Sequence, residues 1–394
     1  MKKKLRIGIL FGGRSGEHEI SLLSAVSILK AIDRKKYDVI PIGITKEGHW
    51  LGTSESQTLL TGEPAASKED TDFAASKAIL RSGESLAIPG GAHPLQLLQL
   101  NPGADRGLMQ EAGNLGIDVI FPVLHGTFGE DGTIQGLFEL ANIAYVGSGV
   151  LGSATGMDKG VMKQLFAAAG LPQTPHAVLL RTEWQADPKR CTRTIEKSLV
   201  YPLFVKPANL GSSVGISKVH DRSELAAAMN LAAAFDRRLV IEQGVGGPGA
   251  KPRELEVGVL GNESPEASVV GEIVPGAEFY DYKAKYQSDT SIPVIPAKLT
   301  RSEEKQVRNM AIAAFRACDC AGLARVDFLM ETARKGFRSK IYLNEINTMP
   351  GFTSISMYPK LWHASGVPYK QLIDQLLKLA EERHRQKQET RFAM

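Results

Sequence analysis

The apolar positions at the start of the chain follow a strand pattern, then a helix pattern, then a strand pattern again. Residues 5–11 form an almost unbroken apolar run, as buried strands do, and a glycine-rich loop at 12–17 follows. Apolar residues then recur at helical spacing, at Leu22, Leu23, Val26 and Leu29. Residues 37–44 have the pattern of the next strand. This order predicts a β-α-β unit with a parallel sheet.

The later segments divide the chain into three units, which together predict an α/β (α+β) fold. The first unit, 1–148, adds a strand at 117–124 and a loop-rich insertion near 53–116. The second unit, 149–245, and the third, 246–394, each combine strands with helices. The predicted strands of the second unit are 176–180, 203–206 and 239–244, and the predicted helices of both units are 158–169, 223–235, 303–317 and 372–379.

Two segments near the C-terminal end carry the densest chemistry. Residues 323–330 (LARVDFLM) and 341–348 (IYLNEINT) have strand patterns, with a charged turn between them. Because side chains alternate across a strand, Arg325 and Asp327 share one face, and Glu345 and Asn347 share one face of the partner. If both faces lie on the same side, three oxygen ligands and one guanidinium converge. Hard oxygen ligands suit Mg²⁺, so the pair predicts an enzyme that acts on nucleotide phosphates.

Composition and charge narrow the class of protein. The chain has 394 residues and a formal net charge of +4 with scattered lysines and arginines, so no nucleic-acid surface is indicated. Three cysteines, at 191, 318 and 320, have no spacing that predicts disulfides or a zinc site. The apolar run after the basic N-terminus is too short for a signal peptide, and no run reaches the length of a membrane span. We therefore expect a cytoplasmic protein.

Several glycine-rich segments could bind anions, and each has a simpler interpretation. Residues 147–152 fit G-x-G-x-x-G, but no acid occurs in 171–180, where a dinucleotide fold needs one, so a hinge between units is favoured. Lys206 ends a strand before the loop 211–215, whose small residues can offer backbone N–H groups to phosphate. Lys159 could be a second cation. Each lysine taken alone is more often an ordinary surface charge.

Two acidic or polar positions in the first unit have similarly open interpretations. Glu17 at the start of the first helix can complement the helix dipole, or it can hold a small zwitterion or anion with nearby N–H groups. His125 follows a buried strand and could be a packed histidine at the strand end. Its position beside Gly126 and an acidic pair makes a ligand role more plausible than for an isolated histidine. The polar and aromatic loop around 276–296 is either solvated or closes over a site and excludes water.

These motifs, in this order, resemble the ATP-grasp family and, within it, the D-alanine–D-alanine ligase family. The likeness extends over nearly the whole chain except the insertion and the last residues. The matching segments are 12–21 (GGRSGEHEIS), 125–132 (HGTFGEDG), 157–159 (MDK), 205–215 (VKPANLGSSVG), 253–257 (RELEV), 280–286 (YDYKAKY), 324–328 (ARVDF) and 344–353 (NEINTMPGFT). The resemblance implies a three-domain ATP-grasp fold with ATP held between the second and third domains.

The resemblance also implies a role for each matching residue. The ATP-binding residues would be Lys159, Lys206, Ser213, Glu242, Val245, Glu254 and, from the closing loop, Lys285. The metal ligands would be Asp327, Glu345 and Asn347, holding two Mg²⁺ ions that Mn²⁺ can replace. The catalytic residues would be Glu17, Ser212, Tyr286 and Arg325, of which the first three form one hydrogen-bonded network and the last stabilises an oxyanion. Substrate binding would involve Glu17, Arg325, His125, Gly351 and Ser356.

The implied reaction joins two molecules of D-alanine at the expense of ATP, for peptidoglycan precursors, in a homodimeric enzyme. ATP first converts one carboxylate to an acyl phosphate, which the amine of the second D-alanine then attacks. Three alternatives remain open at this point. A ligase that uses D-lactate or D-serine as the second substrate would share these motifs. A catalytically inactive ATP-grasp domain would bind nucleotide only, and a dehydrogenase would rest on the 147–152 glycines alone.

Overall fold

A computed structural model of the protein describes residues 4–51, 85–87, 98–100, 116–247, 249–274, 292–331, 339–353 and 355–391. Within these ranges the strands are β1 Leu5–Gly12, β2 Tyr37–Ile44, β3 Ser85–Ala87, β4 Leu98–Leu100, β5 Val119–Val123, β6 Ala144–Tyr145, β7 His176–Leu180, β8 Leu203–Pro207, β9 Ser217–Val219, β10 Arg238–Gln243, β11 Arg253–Gly261, β12 Glu266–Val274, β13 Ile292–Val294, β14 Gly322–Glu331 and β15 Lys340–Asn347. The helices are α1 His18–Ala31, α2 Thr133–Leu140, α3 Val150–Met157, α4 Lys159–Ala168, α5 Arg181–Ala186, α6 Pro188–Ser198, α7 Arg222–Phe235, α8 Arg301–Ala317, α9 Met357–Ala364 and α10 Tyr369–Gln388.

The first sheet is parallel, in the order β2-β1-β5-β6, which confirms the predicted β-α-β unit. A glycine at the end of β1 permits its close approach to β2. Gly12 has φ +92°, and a Cβ there would lie 2.1 Å from the carbonyl oxygen of Ile44. Gly13 then donates its N–H to that same oxygen at 2.9 Å. No residue with a side chain fits this turn, which carries the chain from β1 into the loop before α1.

The core beneath the first sheet contains residues from both ends of the chain. Ile7 and Phe121 from the sheet, together with Leu22 and Ile28 from α1, belong to the same buried cluster as α10. The side chains that α10 contributes are Leu372, Ile373, Leu376, Leu377 and Ala380. Each buried aliphatic side chain contributes roughly 1.5–3 kcal/mol, so α10 is held firmly against the N-terminal sheet. The helix continues to Gln388, beyond the predicted end at 379.

The second sheet is antiparallel, in the order β7-β10-β8-β9, and has a buried core of its own. Two helices that the apolar pattern did not predict, α5 and α6, lie between β7 and β8 and bury Trp184, Cys191 and Ile195. Asp187 follows the last residue of α5 and precedes the first residue of α6. Its carboxylate caps the start of α6, because it accepts the backbone N–H of Arg190 at 2.9 Å. A single residue therefore serves both helix ends.

The third sheet is antiparallel, in the order β13-β12-β11-β14-β15, and is covered on one side by α8. Thr300 and Glu303 form a capping box that fixes the start of α8, a feature worth about 1 kcal/mol. Met162 and Phe166 of α4 belong to the core of this third sheet. Helix α4 therefore packs on the sheet that carries β14 and β15.

Within the glycine segment 147–152, the first three residues precede α3, which begins at Val150. Gly152 lies inside α3, where a Cβ would be only 2.3 Å from the carbonyl oxygen of Asp319. Because Gly152 has no side chain, α3 can pack directly against the backbone of Asp319. Most of the predicted insertion lies outside the described residues, apart from β3 and β4, which pair as an antiparallel hairpin. Among the described residues, no helix is both long and apolar enough to cross a bilayer.

Candidate active site

Two cavities lie side by side between the three large sheets. The first, of about 340 Å³, is lined by loops from the N-terminal sheet and from 347–356. The second, of about 600 Å³, lies between the second and third sheets. They share six lining residues: Ser213, Ile216, Glu256, Ile273, Arg325 and Glu345. A molecule in one cavity would therefore meet a molecule in the other at the face of β14 and β15.

The predicted convergence of charged residues on β14 and β15 is confirmed. Arg325 pairs with Asn347, and Asp327 with Glu345, across the antiparallel strands. Arg325 donates from Nε to Asp327 Oδ1 at 2.8 Å and from Nη2 to Oδ2 at 2.7 Å. Asn347 donates to Asp327 Oδ2 at 3.0 Å, and Glu256 lies 3.2 Å from the Arg325 guanidinium. The four side chains form one network in which a cation already faces the carboxylates.

The ligand atoms on this face are of the chemical type that divalent cations prefer. Asp327, Glu345 and Asn347 offer carboxylate and amide oxygens, the ligands that Mg²⁺ and Mn²⁺ take from proteins. Among the residues that the structure describes, no group of three or more His, Cys, Asp and Glu side chains is placed to hold a metal ion. An ionised carboxylate has about four lone-pair sites. Asp327 can therefore contact Arg325 and a metal ion together.

Glu17 lies where two glycine loops meet in the first cavity. It occupies the N-cap position of α1, but its carboxylate makes no capping hydrogen bond. A Cβ on Gly126 would lie 2.6 Å from Glu17 Oε2, and one on Gly211 would lie 2.7 Å from the same atom. Ser212 donates its hydroxyl to Glu17 Oε1. Ser212 and Ser213 have φ of +50° and +59°, a strained backbone conformation for residues with side chains. This conformation directs the loop toward the Glu17 carboxylate.

His125 lines the first cavity, yet both of its ring nitrogens bond within the protein. Nδ1 lies 2.9 Å from the carbonyl oxygen of Met349, which can only accept, so the proton is on Nδ1. Nε2 then accepts from the hydroxyl of Ser24 at 3.1 Å. Burial lowers the pKa of His125, and the nearby Glu17 charge only partly opposes this, so the ring is neutral. A ligand would have to replace one of these bonds to reach a ring nitrogen.

Glu130 is a site residue to which the sequence pattern assigned no role. One of its oxygens accepts the backbone N–H of Gly126 at 2.7 Å, and the other accepts that of Met349 at 3.0 Å. It therefore bridges the loop that carries His125 to the loop that precedes Gly351. Burial, reinforced by the charge of Glu17, raises the pKa of Glu130 to about 8. The only sequence signal was its place in the segment HGTFGEDG.

The predicted lysines lie on the walls between the two cavities. Helix α4 begins at Lys159 because Asp158 caps it, accepting the N–H groups of Gly160 at 2.9 Å and Val161 at 3.0 Å. The Lys159 ammonium lies 3.7 Å from Glu345 and donates to the Leu210 carbonyl at 2.9 Å. It thus joins the residue before the 211–215 loop to the face of β14 and β15.

Lys206 and Glu242 form a buried pair in the second cavity, with Nζ donating to Oε2 at 3.0 Å. Lys163, which the sequence pattern did not single out, lies 3.3 Å from the other carboxylate oxygen of Glu242. Burial would raise the pKa of Glu242, but the two lysines outweigh it and lower the pKa to about 2. Burial likewise opposes the charge on Lys206, whose pKa is nevertheless raised by Glu242 and Glu345. Lys163 follows Lys159 by one helical turn, which was the available signal.

The other predicted residues are distributed between the cavities. Val245 and Glu254 line the second cavity with Glu242, and Ser213 lines both. Gly351 and Ser356 line the first, and a Cβ on Gly351 would lie 2.8 Å from the Ser356 hydroxyl. Lys285 and Tyr286, with the rest of 275–291, lie outside the described residues.

The three sheets and the paired cavities define an ATP-grasp enzyme. The sequence profile described as the N-terminus of D-ala D-ala ligase matches residues 6–148, and the C-terminus profile matches 165–378. The D-alanine–D-alanine ligase of Acetivibrio thermocellus is 48% identical over 387 residues, 98% of each chain. The chain belongs to the D-alanine–D-alanine ligase family.

Solved structures agree with this membership over the full length of the chain. The D-alanine-D-alanine ligase from Coxiella burnetii has 36% sequence identity and a TM-score of 0.77, covering 98% of this chain and 96% of that one. The VanG D-Ala:D-Ser ligase from Enterococcus faecalis has 34% identity and a TM-score of 0.78, covering 96% of this chain and 100% of that one.

Proposed function

We propose that this protein is a D-alanine–D-alanine ligase. It uses ATP to join two D-alanine molecules through a D-alanyl phosphate, releases ADP and phosphate, and supplies a peptidoglycan precursor. Family membership supports this activity. The structural observation that carries it is the meeting of two cavities, one sized for small zwitterions and one for a nucleotide, at Arg325 and Glu345. Reaction between the two occupants requires such a junction.

The second cavity is the proposed nucleotide site. Its chemistry suits ATP because the cationic side chain of Lys206 lines it, and Lys159 lies 3.7 Å from Glu345, a residue that both cavities share. Glu242, Val245 and Glu254 would contact the adenosine. Ser213 and, from the closing loop, Lys285 complete the proposed ATP-binding set. The family uses ATP and a divalent metal. We assign the metal as two Mg²⁺ ions, replaceable by Mn²⁺, held by Asp327, Glu345 and Asn347; they would offset charge on the phosphates.

The first cavity is the proposed amino-acid site. Glu17 would bind the ammonium of the first D-alanine, since its carboxylate faces the cavity and is fixed by Ser212. Tyr286 would complete this network when the loop over 276–296 closes. Ser356 would bind the carboxylate of the second D-alanine, with His125 forming one wall of the subsite. Lys285 would enter with Tyr286 to reach the γ-phosphate.

Each chemical step assigns a task to a residue on this face. A carboxylate oxygen of the first D-alanine attacks the γ-phosphorus of ATP, the bond to ADP breaks, and the lysines stabilise the developing charge. The neutral amine of the second D-alanine then attacks the acyl phosphate. Arg325, with the backbone N–H of Gly351, would stabilise the tetrahedral oxyanion before phosphate leaves. A closed loop would exclude the water that would otherwise hydrolyse the acyl phosphate.

Three further assignments accompany this function. We assign domains to 1–148, 149–245 and 246–394, a division supported by the profile match that ends at 148. The resemblance supports a homodimer, which sedimentation would test. The chemistry of a peptidoglycan precursor enzyme that uses ATP supports a cytoplasmic location.

Phosphate release with D-alanine, ATP and Mg²⁺, combined with mass analysis of the product, tests the proposed function. D-alanyl-D-alanine is expected as the main product. A second arm supplies D-alanine with D-serine or D-lactate, because the VanG neighbour is a D-Ala:D-Ser ligase. A mixed product that exceeds D-alanyl-D-alanine at neutral pH would reassign the second substrate. ATP binding without any phosphate release would show an inactive ATP-grasp protein.

A further inference from the structure

Glu242 carries one lysine on each of its two carboxylate oxygens. Lys206, at the end of β8, donates to Oε2 at 3.0 Å, and Lys163 of α4 lies 3.3 Å from Oε1. The carboxylate of Glu242 is only 5% exposed. Two cations therefore surround one buried anion, and the charge of Glu345 also acts on Lys206.

The two lysines differ in their access to a ligand. Lys206 lines the second cavity and retains 11% exposure of its side chain. Lys163 is 1% exposed and, although the structure describes it, is not among the residues that line either cavity. Lys163 is attached to α4, whose start is fixed by the Asp158 cap and by the ion pair of Asp158 with Arg238 at 3.1 Å. One lysine can therefore turn toward a ligand, and the other is fixed behind Glu242.

We propose that Lys163 is a positioning residue for the nucleotide: it stays paired with Glu242 so that Lys206 can leave that carboxylate and contact the phosphates. This inference rests on the proposed function, in which Lys206 binds phosphate and Glu242 binds adenosine. It assigns to Lys163 no contact with substrate.

The reason is electrostatic. A buried carboxylate that loses its only cation is strongly destabilised, because removing one member of a buried pair leaves an unpaired charge. Without Lys163, movement of Lys206 to a phosphate would leave Glu242 in that condition. With Lys163 present, the carboxylate keeps a cationic partner when Lys206 turns toward a phosphate. Burial lowers the pKa of Lys163, and the adjoining Glu242 charge opposes this change.

The Lys163→Met variant tests this role, because methionine keeps the length of the side chain and removes the charge. Calorimetry would measure the affinity for ADP and for a non-hydrolysable ATP analogue with Mg²⁺, neither of which requires catalysis. We expect affinity to fall at least about 10-fold, as the loss of one partner in a buried charge pair typically causes. The KM for ATP should rise with it, while the KM for D-alanine should change less than about twofold.

Lys370→Met is the matched control, since Lys370 is 56% exposed and pairs with Asp33 at 3.1 Å on the surface. Its nucleotide affinity should equal that of the wild type. A folded Lys163→Met variant with unchanged nucleotide affinity would overturn the inference. So would an equal rise in the KM for D-alanine, because a general packing defect would affect both substrates.

A double variant keeps the inference testable if Lys163→Met alone does not fold. Lys163→Met/Glu242→Gln removes both charges and should bind nucleotide as weakly as Glu242→Gln alone, within about twofold. Binding more than about fivefold weaker than Glu242→Gln would refute the role as counter-ion. Wild-type protein that binds the analogue but forms no D-alanyl-D-alanine would contradict the proposed function, and the binding series would still decide the role of Lys163.

Discussion

Replacing Gly211 with alanine tests whether Glu17 must hold its present position. The new Cβ would lie 2.7 Å from Glu17 Oε2 and 3.4 Å from Glu17 Cδ. Ordinary contact begins at 3.4 Å, so the carboxylate oxygen must move by about 0.7 Å, the difference between 3.4 and 2.7 Å. Gly211 is not among the glycines with positive φ, so alanine adds no backbone strain. The perturbation therefore falls on Glu17.

A displacement of about 1 Å in a positioning group can cost roughly 10²-fold in rate. We expect Gly211→Ala to lower kcat/KM for D-alanine by about 10- to 100-fold, because the ammonium-binding oxygen moves. The KM for ATP should change less than about twofold, since Glu17 lines only the first cavity. Phosphate-release kinetics with each substrate varied in turn would measure both constants.

Gly16→Ala provides the matched control for this experiment. Gly16 precedes Glu17 in the same loop, and a Cβ there would meet nothing within 4 Å. The control should therefore keep kcat/KM for D-alanine within about threefold of the wild type. If Gly211→Ala also stays within that range, the reasoning that catalysis requires the present position of the Glu17 carboxylate is refuted.

Three other substitutions have expected outcomes. Arg325→Ala should lower kcat by about 10²–10³-fold, as the loss of an oxyanion donor does, and unchanged turnover would remove Arg325 from the acyl step. Glu130→Gln should change the pH dependence of stability. Because burial raises the pKa of Glu130 from 4.5 to about 8, the folded protein binds one more proton than the unfolded chain between these values, and this group lowers the free energy of unfolding as pH rises. Urea unfolding from pH 5 to 7.5 should show a flatter slope in the variant, and an identical slope would contradict the assignment. Asp158→Ala removes the cap of α4 and should cost about 1–2 kcal/mol in urea unfolding; a loss below about 0.3 kcal/mol would show that the cap is not needed.

The alternation of side chains along each strand was sufficient to predict which residues share one face of β14 and β15. Arg325 and Asp327 are two residues apart, and the short turn before Glu345 favours direct antiparallel pairing, so few registers were open. The first sheet was similarly accessible, because a strand, helix and strand in sequence have a strong preference for one arrangement. In contrast, α5 and α6 are polar helices, and Pro188, which starts α6, resembles a break in the chain when only sequence is considered.

The contacts that the sequence could not predict join segments far apart in the chain. Glu17 touches the loops that contain Gly126 and Gly211, and only the folded backbone reveals that a side chain on either loop would meet it. Glu130 could not be assigned because its partner Met349 lies 219 residues away. Lys163 was hidden for a related reason. Its spacing from Lys159 placed the two lysines on one face of a helix. Its partner, Glu242, lies on a strand of another sheet.

The core that joins α10 to the first sheet has a consequence for the order in which the protein folds during synthesis. Helix α10 is the last described helix of the chain, whereas β1 belongs to its first residues. The ribosome releases β1 long before it releases α10, so the apolar face of the nascent sheet stays open until α10 has emerged. Contacts with so large a sequence separation form slowly, because the loop between them must close first. The loop that carries Glu17 extends directly from β1, so this loop gains its stable position only after α10 has docked.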